Sequence, residues 1–348
     1  MQVSRRQFVV GGSALWLSAC GGGSGGGSAG AGGASGSGGG LTGSNNGLVA
    51  STEIKVDKQA VCSINGAGNI SCLQPTAVAV APNGDLYVVE RLNHAIRKIK
   101  SDGTFSVWAG QLGVSGHTDG NGTAASFSTP VGIALDNSGN AYVCDSDNNT
   151  IRRISPSGVV STLAGQAGVS GHADLTGTAA TFYGPYGVTF DGSANLYVVE
   201  INNQLVRKIN LNTLEVSTLA GQAENQGFAD GTGAEAIFCD PNDITMSQQN
   251  PDYLYLSDGA NQVIRQIKIS TREVTTLAGQ VEEPIYQDGT GSAAGFYNPG
   301  GVVVDDQGHV YVADTDSQTI RSLNVSTRVV RTVAATSELT RGNSFTPY

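Results

Sequence analysis

Over much of the chain, short stretches of alternating side chains are separated by turn residues. In the clearest stretch the large apolar residues Val131, Ile133 and Leu135 are spaced by Gly132 and Ala134, the two-residue period of a strand with one buried face. The run Asn137-Ser138-Gly139-Asn140 follows and supplies residues that tolerate the positive φ of a tight turn. Ala141–Asp145, Ile151–Ile154 and Val160–Leu163 then read as three further strands. No stretch carries a 3.6-residue apolar period, which excludes an array of helical repeats.

The pattern recurs. Pro75, Pro130, Pro185, Pro241 and Pro299 mark equivalent positions at intervals of 55, 55, 56 and 58 residues. Four short antiparallel strands per unit at this spacing describe the blade of a β-propeller. The expectation is an all-β domain over residues 51–348, with five blades starting near 75, 130, 185, 241 and 299. A six-bladed ring, its last blade assembled from both termini, is the alternative. Val61-Cys62-Ser63-Ile64-Asn65-Gly66 has the pattern of the fourth strands, so it is expected to join the last blade and remove an exposed edge.

The residues of each unit resemble the NHL family: Pro-x-Gly followed by Val or Ile, Tyr-Val-x-Asp/Glu, Asn, and then Ile/Val-Arg-Lys/Arg-Ile. The first unit shows the later part as Tyr87-Val88-Val89-Glu90, Asn93-His94 and Ile96-Arg97-Lys98-Ile99. The match recurs five times between residue 75 and about residue 334. It departs at Asp243, where three units have Gly and the first has Ala77, at Ser317, where others have Asn, and through a looser Gln248–Asp252. The resemblance implies a non-catalytic scaffold that presents its loop face to a protein, glycan or small ligand. Its alternative is a metal-dependent propeller enzyme of lactonase or lyase type, with Ca²⁺ or Mg²⁺ held by oxygen ligands such as Asp243, Asn242 and Asp147.

Between the units runs a second recurring segment, Asp119–Phe127, Asp174–Phe182, Asp230–Phe238 and Asp288–Phe296. Its Gly-rich start and Ala-x-Phe end predict a linker pinned by a buried aromatic. It is expected on the same end as the turns between second and third strands.

The first fifty residues are of another kind. Phe8–Leu17 is apolar but shorter than the roughly 20 residues that span a bilayer, which identifies a signal segment within residues 1–20. Arg5, Arg6 and Phe8 in Ser-Arg-Arg-x-Phe resemble a twin-arginine export signal. Leu17-Ser18-Ala19-Cys20 resembles a bacterial lipobox in which Cys20 takes the lipid. Gly21 beside it points to the outer membrane in a cell that has two. Residues 21–50 are almost all Gly, Ser, Ala and Asn, without charge, a flexible tether holding the head on the order of 30 Å from its anchor. The expected setting is the cell envelope, with Cys20 as the sole membrane attachment of a monomeric head.

Cleavage before Cys20 removes two of the 19 basic residues and none of the 29 acids, taking the net charge from −10 to −12. That balance disfavours nucleic acid and anionic lipid as partners. Cys62 and Cys72 are spaced for a local hairpin disulfide in an oxidising compartment, and Cys144 and Cys239 are read as buried free thiols. With no CxxC and no histidine pair at ligand spacing, no metal site or other cofactor is expected of the scaffold.

The recurring acids Glu90, Asp145, Glu200, Asp258 and Asp314, and the arginines Arg97, Arg152, Arg207, Arg265 and Arg321, are read as structural, the acids as caps of the turn after strand two. His117 and His172 stand where later units have Phe228 and Tyr286, so that position calls for a flat ring. No catalytic residue is assigned. Binding is expected where the repeats differ, at the mouth of the channel, with Arg91, Asp147, Tyr186, Asn242 and Asp243 as candidate contacts.

Overall fold

The computed structural model describes residues 75–335 throughout, and the backbone of three short strands before them, Gln7–Phe8, Cys62–Ile64 and Ile70–Cys72. Arg5, Arg6, Cys20 and the tether lie outside the described residues, as do residues 336–348.

Five four-stranded antiparallel blades form the domain. Their strands are Pro75–Val80, Leu86–Glu90, Ala95–Ile99 and Phe105–Ala109 in blade one, and Pro130–Leu135, Ala141–Asp145, Thr150–Ile154 and Val159–Ala164 in blade two. Blade three has Pro185–Phe190, Asn195–Glu200, Leu205–Asn210 and Val216–Gly221, and blade four Pro241–Met246, Tyr253–Asp258, Val263–Lys268 and Glu273–Gly279. Blade five has Pro299–Val304, His309–Asp314, Thr319–Asn324 and Val329–Ala335. The strands expected from the repeat are therefore the strands found. Within each blade they pair in sequence order, and in blades two, four and five a two-residue strand from the preceding linker adds to the outer edge.

Packing lies between blades. Tyr87, Val89 and Trp108 of blade one meet Ile133, Val143 and Ile154 of blade two around Phe127, and equivalent clusters surround Phe182, Phe238 and Phe296 at the next three interfaces. All four phenylalanines are fully buried, each contributing roughly 1.5–3 kcal/mol of apolar burial. They are the pins expected of the linkers. Near the axis the inner strands come so close that a Cβ at Gly187 would lie 2.6 Å from Asp243 Oδ1. This explains the small third residue of most inner strands.

Ring closure differs from expectation. Cys62–Ile64 pairs with Ile70–Cys72 in a hairpin and not with blade five, whose outer position is already filled by Val329–Ala335. Gln7–Phe8, which contains Phe8 of the expected export signal, pairs along Pro75–Val80 at the inner edge of blade one.

Candidate functional site

Each recurring acid enters a buried network. Asp145 ends the second strand of blade two and Arg152 sits in the third strand, with Nη1 donating to Asp145 Oδ2 at 2.8 Å. Asn148, in the turn between, donates to the same oxygen at 2.8 Å, and the Ser128 N–H donates to Oδ1. The other Arg152 nitrogen, Nη2, reaches Asp119 of the linker at 2.7 Å and the Thr118 carbonyl, while Cζ lies 5.1 Å from the Phe127 ring centroid. The same set joins Glu200, Arg207, Asp174 and Phe182, then Asp258, Arg265, Asp230 and Phe238, then Asp314, Arg321, Asp288 and Phe296. Glu90 pairs with Arg97 in blade one.

The acids are thus partners of arginine and anchors of the linker, which corrects their reading as turn caps. A buried acid beside an arginine in the facing strand is better served by ion pairing than by a turn. Burial raises the carboxyls of Asp145 and Asp258 to about 6 against the pull of their arginines. The half-exposed Asp119 and Asp288 stay below the usual range: their partial burial is outweighed by the backbone N–H groups of Thr162 and Thr332 and by their arginines.

At the flat-ring position two of the four residues lie over arginines. Phe228 and Tyr286 lie over Arg265 and Arg321 with Cζ 4.8 and 4.9 Å from the ring centroids. His117 and His172 are exposed on their linkers. His94 has a different task. It is left-handed, at φ 54°, and its Nδ1 accepts the Thr129 N–H of the next linker at 2.9 Å. Asn149, Gln204 and Gln262 occupy the same position with φ 56°, 60° and 62° and accept the N–H groups of Gly184, Asp240 and Asn298. Blades one to four thereby each latch to the next.

At the channel mouth the five candidate residues divide. Arg91 of blade one reaches Tyr186 of blade three, Cζ lying 5.9 Å from the ring centroid. Its Nε is buried and has no hydrogen-bond partner among the described residues. Asp147 is exposed on the turn of blade two and accepts the Thr129 hydroxyl. Asn242 and Asp243 instead join blade four to blade five, Asn242 donating to the Pro299 carbonyl at 3.1 Å and Asp243 Oδ2 accepting the Val302 N–H at 3.0 Å. Asp243 is partly open to the channel, yet its surroundings push the carboxyl up to about 7. Ser257 was not singled out in the sequence. Its hydroxyl accepts the Asp243 N–H and donates to the Gly300 carbonyl. The available signal was a polar residue where other second strands have Val89, Cys144, Val199 and Ala313.

Cys144 is the buried free thiol expected. Burial, then the charges of Asp243, Glu200 and Asp145, raise it well above the ordinary value, so the thiol stays protonated and a poor nucleophile. Cys239 is disulfide-bonded, which corrects its reading as a free thiol: its place in the linker two residues before Pro241 says where the bridge lies, and the spacing of the cysteines gave no sign of it. Cys62 and Cys72 face each other in their hairpin register, though their side chains lie outside the described residues.

Residues 127–154 and 296–321 match the NHL repeat. Human NHL repeat-containing protein 2 is 25% identical over 289 residues, covering 74% of this chain and 39% of the relative, so the chain spans well under half the length of that protein. Among solved structures, an auxiliary nutrient binding protein from Bacteroides ovatus superposes with a TM-score of 0.54 at 16% identity, covering 78% of this chain and 63% of the other. A virginiamycin B lyase from Staphylococcus aureus superposes with a TM-score of 0.50 at 15% identity, covering 74% and 69%. At these identities the likeness concerns the fold, and one fold hosts both a binder and a lyase. The chain is thus a five-bladed β-propeller in which two segments match the NHL repeat, similar to NHL repeat-containing protein 2.

Proposed function

We propose that the chain is a non-catalytic binding propeller that presents the loop end of its ring to a protein, glycan or small ligand, and that a lipid on Cys20 holds it at a membrane. The acids and arginines common to the blades are committed to one another inside the ring. What differs between blades lies at the channel mouth, where Arg91 of blade one packs over the Tyr186 ring of blade three. That pairing across the channel, made by residues at which the repeats differ, is the observation that carries the reading, since a ring beside a guanidinium offers a ligand apolar contact and hydrogen-bond donors together. Exposed Leu92, Tyr183 and Tyr297 on the same end add apolar contact area, the composition of a recognition surface.

The metal-enzyme reading needs Asn242, Asp243 and Asp147 to turn toward one ion. Asn242 and Asp243 are tied to blade five and Asp147 to Thr129. The lipid anchor rests on the Arg5-Arg6-x-Phe8 signal, the Leu-Ser-Ala-Cys20 motif and the uncharged tether.

The test is a glycan array and an envelope-protein pull-down with the full chain, repeated with Arg91→Ala and Tyr186→Ala. Binding lost in both variants at unchanged melting temperature is expected. Binding that survives both substitutions overturns the placement.

A further inference from the structure

We propose that the cleft between blades two and three binds the guanidinium head of a small organic cation. The cleft is about 470 Å³, and its walls include Asp136, Tyr142 and Arg153 of blade two and Leu211 and Leu214 of blade three, together with Thr162 and Leu163 of the outer strand of blade two. The neighbouring interface shows what such a place can hold. Arg272, in the turn before the outer strand of blade four, reaches back to blade three, donating from Nε to the Leu219 carbonyl at 2.9 Å and from Nη2 toward the Thr218 carbonyl at 3.4 Å.

The two interfaces are equivalent residue by residue. Thr162-Leu163-Ala164 repeats Thr218-Leu219-Ala220, and both strands are bulged at the leucine, which drops out of the ladder to the third strand. Leu214 and Arg272 occupy the same turn position, each at φ 60°. A Cβ built at Gly233 would lie 2.8 Å from the Arg272 guanidinium, and one built at the equivalent Gly177 would lie 3.7 Å from both the Leu163 carbonyl oxygen and Leu214 Cδ1. The Leu163 carbonyl therefore stands where its counterpart receives a guanidinium, beside a leucine too short and too apolar to supply one.

Asp136 and Arg153 balance within the cleft, so selectivity for a planar cation rests on the carbonyl pair, which offers acceptors and no donor. The apolar side of Leu211 and Leu214 suits an alkyl tail. The acidic chain as a whole draws cations toward its surface.

The experiment is a calorimetric titration of the full chain with n-butylguanidinium, and with n-butylurea as a neutral analogue of similar shape. Saturable binding of one n-butylguanidinium, at least about tenfold tighter than n-butylurea, is expected. Leu214→Arg should abolish it by filling the cleft from within, and Arg272→Leu should open a second site and raise the stoichiometry to two. No saturable binding, or equal binding of the urea, overturns the proposal. So does binding unchanged in a folded Leu214→Arg variant. Should that variant not fold, an Arg272→Leu chain that still binds a single equivalent overturns it.

Discussion

The guanidinium of Arg265 lies between the rings of Phe228 and Phe238, its Cζ 4.8 and 5.1 Å from their centroids, with Asp258 and Asp230 at its edge. One side chain thus holds together two strands of blade four, the linker that precedes the blade, and the aromatic that plugs the interface with blade three. Arg265→Leu leaves Asp258 buried without its cation, a situation that costs about 3–5 kcal/mol. Asp230, at 45% side-chain exposure, is a milder site, and Asp230→Asn should cost at most about 1 kcal/mol. Urea denaturation of both variants checks the contrast, and equal midpoints would refute the asymmetry.

His94 makes the first blade latch sensitive to acid. Its Nδ1 can accept the Thr129 N–H only while that nitrogen is unprotonated. Burial lowers its pKa from 6.5, with the charge of Asp147 opposing in part. A histidine depressed on folding contributes stability that is complete above its unfolded value and is lost as pH falls through the folded one. His94→Gln installs the residue used at Gln204 and Gln262. The variant should match the wild type near pH 8 and exceed it near pH 5. A stability difference that stays constant between those conditions removes His94 as the source.

The strands and their order were legible because each blade repeats the same alternation, and the linker phenylalanines because each ends its segment at the same offset. The latch was not. Its members, His94, Asn149, Gln204 and Gln262, share an acceptor atom and a left-handed backbone, and no common residue type exposes that. The N-terminal strand was misplaced for a related reason: Cys62–Ile64 has the apolar pattern of an outer strand, but pattern does not reveal that blade five already owns one. Among the mouth residues, Arg91 and Tyr186 stand where the repeats differ and meet across the channel. The break at Asp243 and Asn242 instead marks a local remaking of the blade interface. A departure from a repeat calls for a compensating partner, and Ser257 opposite Asp243 was the available clue to it.

Removal of divalent metal should leave the fold unmoved. Asn242, Asp243 and Asp147 each hold a partner within the chain, and among the described residues no cluster of three His, Cys, Asp or Glu side chains could hold an ion. Elemental analysis of residues 51–348 with melting curves in Ca²⁺, Mg²⁺ and EDTA should give no stoichiometric metal and no shift. One metal per chain with a shift abolished by EDTA would instead direct mutagenesis to Asp243 and Asp147 and favour the enzyme.

Asp243 should make the ring less stable as pH rises from about 4 to neutrality. Blades two, three and five have Gly132, Gly187 and Gly301 at this point of the inner strand, and the added carboxyl gains the Val302 N–H but no cation. Burial pushes it up to about 7, the N–H groups of Val302 and Ile244 opposing. A carboxyl raised on folding contributes stability that is complete below its unfolded value of about 3.8 and is lost as pH rises through the folded one. Asp243→Asn retains an oxygen for Val302 and cannot ionise. Its melting temperature relative to wild type should therefore climb between about pH 4 and pH 7 and level off above it, opposite in direction to the His94 effect. Because the group is partly open to the channel, solvent moderates the size of the climb without changing its sign. A flat difference across that range would mean that Asp243 stays charged at neutral pH and is held by its hydrogen bonds alone.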